Sequence, residues 1–243
     1  LMFRHKGKNR TFIHNLRLAT LLSFVAGVVN ITGVMSVKTL TTNITGHFAY
    51  FAEEIMRKDF AAAITFFVFT LIFLLGAFTS NFISEYVAKS NSNFSHIIPI
   101  ALEILILAIV ASFESPMSLD NLEGKFLASA MLFAMGIQNS LVTKISQSTV
   151  RTTHLTGLFT DLGIELSQLF FYKKPEETKK LKTNIYLRIS IISFFFIGCV
   201  LGGFIYSFFN IKTLFVACFF LFIALLYDSI RLQYHLFKRR LKM

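Results

Sequence analysis

The sequence TNITGHF at residues 42–48 returns as THLTGLF at residues 153–159, an offset of 111 residues. Upstream of each copy a second pair recurs, GVVN at residues 27–30 and GIQN at residues 136–139, an offset of 109 residues. One Gly-x-x-Asn or Thr-Gly match would be weak, but two ordered pairs at nearly equal spacing indicate an internal duplication. We therefore interpret the chain as two diverged copies of one unit.

The composition around both copies is that of a membrane protein. Of 243 residues, 54% are hydrophobic, 30 are Phe and only 15% are charged, with a mean hydropathy of +0.63. This leaves too few polar side chains to coat a soluble globule. The formal charge of +11 would suit nucleic-acid binding in a soluble protein. Here the basic residues lie beside apolar stretches, as Lys and Arg do on the cytoplasmic side of membranes, so we expect lipid and not nucleic acid as a partner.

Six apolar stretches reach or approach the roughly 20 residues that a helix needs to cross a bilayer. They are residues 16–37, 61–88, 97–113, 126–142, 185–209 and 213–227. Two further segments, residues 41–56 and 152–171, are less apolar and contain the Thr-Gly motifs. We predict an all-α polytopic membrane protein with about six transmembrane helices and two short polar helices, re-entrant or broken, arranged as two diverged repeats.

The predicted organisation has five parts. They are a basic cytoplasmic N-terminus at 1–15, membrane repeat 1 at 16–113, an acidic loop at 114–125, membrane repeat 2 at 126–232 and a basic cytoplasmic C-terminus at 233–243. The basic termini, and the lysines between residues 173 and 182, place both ends of the chain in the cytoplasm.

Two topologies agree with this orientation. If the Thr-Gly segments return without crossing, the chain has six spans and inverted copies; if they cross, it has eight spans and parallel copies. The Lys and Arg residues of the loops count eight inside and five outside in either case. We favour six spans because residues 41–56 are few for a crossing and end near two glutamates. The longer segment 152–171 could cross if its acidic residues faced protein.

Polar residues of the repeated motifs are the candidate substrate site. A Thr-Gly sequence at a helix start leaves unpaired backbone N–H groups, and interrupted helices at corresponding positions of inverted repeats indicate a central site in transporters. Amides inside apolar spans should face protein or a wet cavity, so they are expected partners of the Thr-Gly segments. The alternative is that these residues only cap helices and pack them together. The candidates are Asn30, Thr45, Gly46, Gln138, Asn139, Thr153, Thr156 and Gly157.

Acidic residues within apolar or polar membrane segments form a second group of candidates. Glu103 lies near the middle of the 97–113 span and Asp161 lies in the second polar segment, so both are candidates for a proton or cation site. A neutral Glu103 buried between helices is the alternative. No metal site is expected, because His47 and His154 occupy different positions of the two motifs and no ligand cluster accompanies them.

The sequence favours transport over catalysis. It contains no H-E-x-x-H, G-x-S-x-G, G-x-G-x-x-G or G-x-x-x-x-G-K-[ST] motif, so we expect neither enzymatic activity nor a cofactor. The leading hypothesis is a secondary transporter or permease for an unidentified small solute or ion. The alternative is a membrane scaffold or regulatory subunit, and a membrane enzyme using Glu103, Asp161 and Glu165 comes third. Homo-oligomer formation stays open.

At these motifs the chain resembles the YoaK family of bacterial membrane proteins, also called DUF1275 or UPF0700. The family pattern has a first-span Gly-x-x-Asp, a Thr-Gly-Asn, a later Gly-x-Gln-Asn and a second Thr-x-x-Thr-Gly, and the resemblance covers about residues 16–228. The later motifs match, whereas Asn30 stands where the family commonly has Asp and His47 where it commonly has Asn. The resemblance implies a helical fold in the bacterial cytoplasmic (inner) membrane and supplies no substrate.

Overall fold

The computed structural model describes residues 11–91, 94–113, 119 and 121–240, without the side chains of residue 91 and of residues 229–240. Across these ranges the chain is helical and contains no strand, which confirms the predicted all-α class. The helices are α1 (Phe12–Val37), α2 (Ile44–Met56), α3 (Phe60–Asn91), α4 (Ile97–Ala111), α5 (Leu122–Ser146), α6 (Leu155–Phe171), α7 (Pro175–Phe209) and α8 (Leu214–Arg240). A short 3₁₀ turn, Asn210–Thr213, joins α7 to α8.

Several helices are long and apolar enough to cross a membrane. By length and hydropathy these segments are Phe12–Val37, Phe60–Ser90, Leu122–Ser146 and Pro175–Asp228, and the last contains both α7 and most of α8. The helix α4 is apolar but shorter. Large apolar side chains such as Phe78, Phe82, Phe196 and Phe204 point away from the protein, 61–66% exposed, as expected for contact with lipid. The chain is a multi-pass membrane protein.

Three boundaries differ from the sequence prediction, the first two for identifiable reasons. Helix α5 begins at Leu122, inside the predicted loop 114–125, because the Asn121 side chain accepts a hydrogen bond from the Gly124 N–H (2.8 Å). Helix α7 begins at Pro175, so the lysines at 179, 180 and 182 lie on a helix; proline at the first helical position and two following glutamates favour this start. Helix α8 continues through most of the predicted tail 233–243. Residues 1–10, 92–93, 114–118, 120 and 241–243 lie outside the described residues.

The two Thr-Gly helices follow matching turns. Helices α1 and α5 both end in a left-handed residue, Lys38 (φ 53°) and Gln147 (φ 51°), which redirects the chain. Helix α2 then has 13 residues and α6 has 17. At 1.5 Å per residue these helices are about 20 and 26 Å long, shorter than the apolar core of a bilayer at about 30 Å.

Two closely packed helix pairs form the centre, and each depends on glycine. Helix α1 packs on α7, where a Cβ on Gly27 would overlap the Phe195 carbonyl oxygen. Helix α3 packs on α5, where a Cβ on Gly136 would overlap the Phe73 carbonyl oxygen. Gly27 and Gly136 are the first residues of the two Gly-x-x-Asn motifs, so the same backbone approach occurs once in each half of the chain.

Contacts along the helices give their relative directions. Helices α1 and α7 run parallel, since Phe12 contacts Tyr186 near one end and Met35 lies near Gly203 at the other. Helices α3 and α5 also run parallel, because Gly76 contacts Phe133 and, further along both helices, Lys144 pairs with Glu85 at 2.7 Å.

The first helices of the two halves run in opposite directions. Gln138 on α5 donates to the Leu22 carbonyl on α1, while Met131, earlier on α5, lies near Gly33, later on α1. Helix α1 therefore runs antiparallel to α5 and, through the parallel pair α3 and α5, antiparallel to α3.

Candidate functional site

The asparagines of the two Gly-x-x-Asn motifs bind the start of the following Thr-Gly segments. The Asn30 Oδ1 accepts a hydrogen bond from the Thr42 hydroxyl (2.9 Å) and another from the Thr41 backbone N–H (3.2 Å). At the corresponding position the Asn139 Oδ1 accepts from the Thr153 hydroxyl (2.8 Å). The predicted partnership between span amides and Thr-Gly segments is confirmed for Asn30 and Asn139, and each bond holds the beginning of a short helix against a long one.

Gln138 forms a hydrogen bond between two long helices. Its side chain is fully buried, and its Nε2 donates to the Leu22 carbonyl on α1 (2.9 Å), with the Thr152 hydroxyl 3.5 Å away. This bond joins the first helices of the two halves. Gln138 therefore connects α1 to α5, and it lines neither of the two cavities described below.

The glycines of the two motifs make room for the residue that precedes each helix. The Asn43 side chain accepts from the Gly46 N–H (3.0 Å) and closes the first turn of α2, and a Cβ on Gly46 would lie 3.2 Å from its amide. At the corresponding place the His154 ring lies over Gly157, where a Cβ would overlap it. His154 makes no capping hydrogen bond.

Both Thr-Gly segments border one cavity of about 600 Å³. The volume falls within the range of small-molecule sites, about 300–1,000 Å³. The cavity lies where the starts of α2 and α6 face α3 and α7, whose Phe73 and Phe195 contribute apolar walls. Of the eight candidate substrate residues, five line it: Asn30, Thr45, Asn139, Thr153 and Thr156. The other three, Gly46, Gln138 and Gly157, do not.

A second cavity of about 320 Å³ lies beside α6. Gly157 and Asp161 line it, together with Arg188 from α7. It shares two lining residues, Arg151 and His154, with the larger cavity. The two spaces therefore adjoin at the turn that precedes α6.

Asp161 belongs to an ion-pair cluster that the sequence reasoning missed. The Arg188 guanidinium binds Glu165 through two nitrogens, at 2.6 and 3.0 Å, and binds Asp161 at 2.9 Å. Arg188 neutralises part of the acidic charge of α6, so Asp161 is not an unpaired carboxylate. The signal in the sequence was one arginine at the start of the 185–209 span.

The corresponding positions of the first half carry aromatic rings. Tyr50 corresponds to Asp161 by the 111-residue offset of the Thr-Gly motifs. Gly76 on α3 and Gly198 on α7 make equivalent contacts, with the Phe133 and Phe24 carbonyl oxygens, and by the offset between these glycines Phe66 corresponds to Arg188. The rings of Tyr50 and Phe66 are 5.2 Å apart, and Phe66 also contacts His47. One short helix is thus joined to its neighbour by aromatic contacts and the other by an ionic cluster.

Glu103 lies apart from both cavities. It is fully buried on α4, and neither carboxylate oxygen has a hydrogen-bond partner among the described residues. The sulfur of Cys218 on α8 bonds the carbonyl of the next residue, Ile104 (3.6 Å), so Glu103 is at the α4–α8 contact. Within the described residues, no three His, Cys, Asp or Glu side chains gather as a metal site would require.

Similarity to other proteins identifies the family of the chain. The sequence model of a family described as a protein of unknown function, DUF1275, matches residues 18–227. The chain belongs to the DUF1275 family. The resemblance inferred from the repeated motifs is therefore confirmed, and the match covers α2, α6 and the cavity between them. No curated protein and no solved structure matched this DUF1275 protein.

Proposed function

We propose that this DUF1275 protein is a secondary transporter or permease for a small solute or ion, with its site in the cavity between the starts of α2 and α6. One observation carries the proposal: the hydrogen-bonded pairs Asn30–Thr42 and Asn139–Thr153, one from each half, line the same cavity. Interrupted helices meeting at a repeat interface are the usual setting of a transporter's substrate site.

The proposed topology has six crossings, made by α1, α3, α4, α5, α7 and α8. Helices α1 and α3 run antiparallel, so the chain reaches the far side at the end of α1 and returns along α3, and α2 lies between them without crossing. The same relation holds for α5, α6 and α7. Since α1 and α5 point in opposite directions, the two halves have inverted topologies, and residues 16–113 and 126–232 would be the repeats.

We propose the bacterial cytoplasmic membrane as the location, with both termini in the cytoplasm. With an even number of crossings, both ends of the chain lie on one side. The lysines at 179, 180 and 182 lie near the start of α7 on that side, where Lys and Arg are favoured. In this orientation the α6–α7 turn is cytoplasmic and the α2–α3 turn is outside.

The alternative is a membrane scaffold or regulatory subunit without transport activity. It is favoured by the fact that the Oδ1 atoms of Asn30 and Asn139 are already engaged in internal hydrogen bonds. Such bonds between helices stabilise membrane proteins without any ligand, by about 0.6–2 kcal/mol each. We propose no catalytic role, since Asp161 and Glu165 are bound by Arg188.

A flux assay with a matched pair of variants separates the two functions. Thr156 lines the cavity, and its hydroxyl makes no hydrogen bond within the described part of the chain. Thr160 lies one turn further on the same helix, is exposed and does not line the cavity. In proteoliposomes screened with radiolabelled inorganic ions and small metabolites, we expect Thr156→Val to reduce flux and Thr160→Val to preserve it. Equal flux in both variants, or no protein-dependent flux of any solute, contradicts the transporter proposal.

A further inference from the structure

We infer that the cavity of about 600 Å³ between the starts of α2 and α6, called the central cavity from here on, binds a small anion, such as a carboxylate or an inorganic oxyanion. The inference rests on the proposed function, because it names the substrate class of the proposed site. It depends on the charge of the cavity lining and on the direction of its hydrogen bonds.

The lining carries positive charge without an acid to balance it. Its ionisable side chains are Arg151 and His154, and no Asp or Glu is among the lining residues. Arg151 is exposed to the cavity and forms no ion pair within the described ranges. The nearest acidic residues along α6, Asp161 and Glu165, are bound by Arg188. Arg188 carries one positive charge against their two negative charges, but neither carboxylate pairs with Arg151, so the Arg151 guanidinium keeps its hydrogen-bond donors for a ligand.

The two asparagines offer donors to the cavity. A backbone N–H can only donate, so the bond from the Thr41 N–H identifies the Asn30 atom that it meets as the amide oxygen. That oxygen is occupied, and the Asn30 Nδ2 has no partner within the described residues. The Asn139 oxygen is likewise occupied, by the Thr153 hydroxyl (2.8 Å), and no backbone N–H of the described residues meets it. Each asparagine thus presents an NH₂ group, which binds acceptor atoms.

Hydroxyl groups complete a set of donors. Thr45 and Thr156 line the cavity from the two short helices, and their hydroxyls make no hydrogen bond within the part of the chain that is described. Amide, hydroxyl and guanidinium groups together match the oxygens of a carboxylate or oxyanion, and a charge-assisted hydrogen bond from arginine is the strongest of these contacts. A cation would meet the positive charge of Arg151 in the same place and no carboxylate in the cavity lining.

The two halves differ at the charged position. At an offset of 111 residues, the residue of the first half that corresponds to Arg151 is Leu40, and it lines the same cavity from the opposite segment. The duplication therefore provides a place to which the charge can be moved. Lys212, on the 3₁₀ turn outside both cavities, provides a control for loss of a positive charge.

The test measures anion binding to the purified full-length protein without requiring transport. Thermal unfolding is followed by helical circular dichroism in detergent at constant ionic strength, with sodium chloride, nitrate, phosphate, sulfate, formate and acetate as probes. Chlorides of potassium, ammonium and choline test cations. A ligand of the folded state raises the midpoint in proportion to the logarithm of its concentration once that exceeds the dissociation constant.

We expect at least one anion to raise the midpoint saturably in the wild type and in Lys212→Gln. In Arg151→Gln its dissociation constant should rise by about tenfold to a hundredfold, the loss expected for one charge-assisted hydrogen bond. The double variant Arg151→Leu/Leu40→Arg should regain part of the affinity, which excludes misfolding as the cause of the loss.

Two results overturn the inference: no anion in the panel shifts the wild-type midpoint, or the shift is equal in Arg151→Gln. This failure is distinct from failure of the transporter proposal. Flux of a cation or a neutral solute without anion binding would refute the anion site alone. Saturable anion binding that depends on Arg151, without flux of that anion, would refute transport alone.

Discussion

Substituting alanine for Gly136 tests the packing that holds the central cavity together. The added Cβ would overlap the Phe73 carbonyl oxygen and lie 3.0 Å from the Ala77 nitrogen, and both atoms belong to the α3 backbone. A helix backbone cannot rotate aside as a side chain can, so α3 and α5 must separate. Phe73 also lines the cavity, so the same separation would displace one of its walls.

The magnitude follows from comparison with a second glycine. Gly163 on α6 has nothing within 4 Å of an added Cβ. Alanine there should gain only the helix preference over glycine, about 0.5–1 kcal/mol. The Gly136→Ala variant gains the same preference but incurs overpacking, which costs about 1–3 kcal/mol. Because the preference cancels in the comparison, Gly136→Ala should be less stable than Gly163→Ala by about 1–3 kcal/mol.

Reversible unfolding in mixed micelles of dodecyl maltoside and sodium dodecyl sulfate, followed by helical circular dichroism, would measure this difference. Gly27→Ala provides a replicate in the other half, since its Cβ would meet the α7 backbone in the same way. The reasoning is refuted if Gly136→Ala and Gly163→Ala unfold at the same detergent fraction. It is also refuted if Gly136→Ala is the more stable of the two.

Three further predictions concern topology and buried charge. In a variant without native cysteines, a cysteine replacing Asp59 should react with an impermeant maleimide in intact cells. A cysteine replacing Lys173 should react only after the cells are permeabilised. Equal access of the maleimide to both positions contradicts inverted repeats. Arg188→Met should lower the free energy of unfolding by about 1–3 kcal/mol, less than for a fully buried pair because the cluster is partly exposed. Adding Glu165→Gln should restore part of that loss, and an additive double variant would contradict the ion-pair account. Glu103→Gln should leave the free energy of unfolding within about 1 kcal/mol of the wild-type value, because a carboxyl buried among apolar groups without a partner is held neutral. A large loss in the same unfolding assay would show that the carboxyl has a charged partner.

Part of the candidate site was predictable from sequence because polar groups are rare in apolar spans. Asn30 and Asn139 could be assigned to the Thr-Gly segments, since an amide in hydrocarbon needs a partner and the motifs recur in the same order. The hydrogen bonds of both asparagines agree with that expectation. Gln138 carried the same signal but bonds α1 instead, because periodicity does not distinguish a cavity wall from a helix contact.

The charged residues around the cavity were not predictable. Arg151 was one of the counted loop charges, and Arg188 lay inside a predicted span and was not counted. A count of charges does not show which charges lie close together. Arg188 is 23 residues from Glu165 along the chain, yet its guanidinium binds that carboxylate through two hydrogen bonds. Arg151 was identified only because it lines both cavities.

The sequence alone determined that the chain is helical, lies in a membrane and belongs to the DUF1275 family, because hydropathy and ordered motifs are local properties. The loop charges gave the same count for six and eight crossings, so the sequence did not determine the relative orientation of the two halves. Tertiary contacts decided that α1 opposes α5, and they brought Asn30 and Asn139 to one cavity. Helix direction is a relation between distant segments, and only packing, here permitted by two glycines at backbone contact, specifies it.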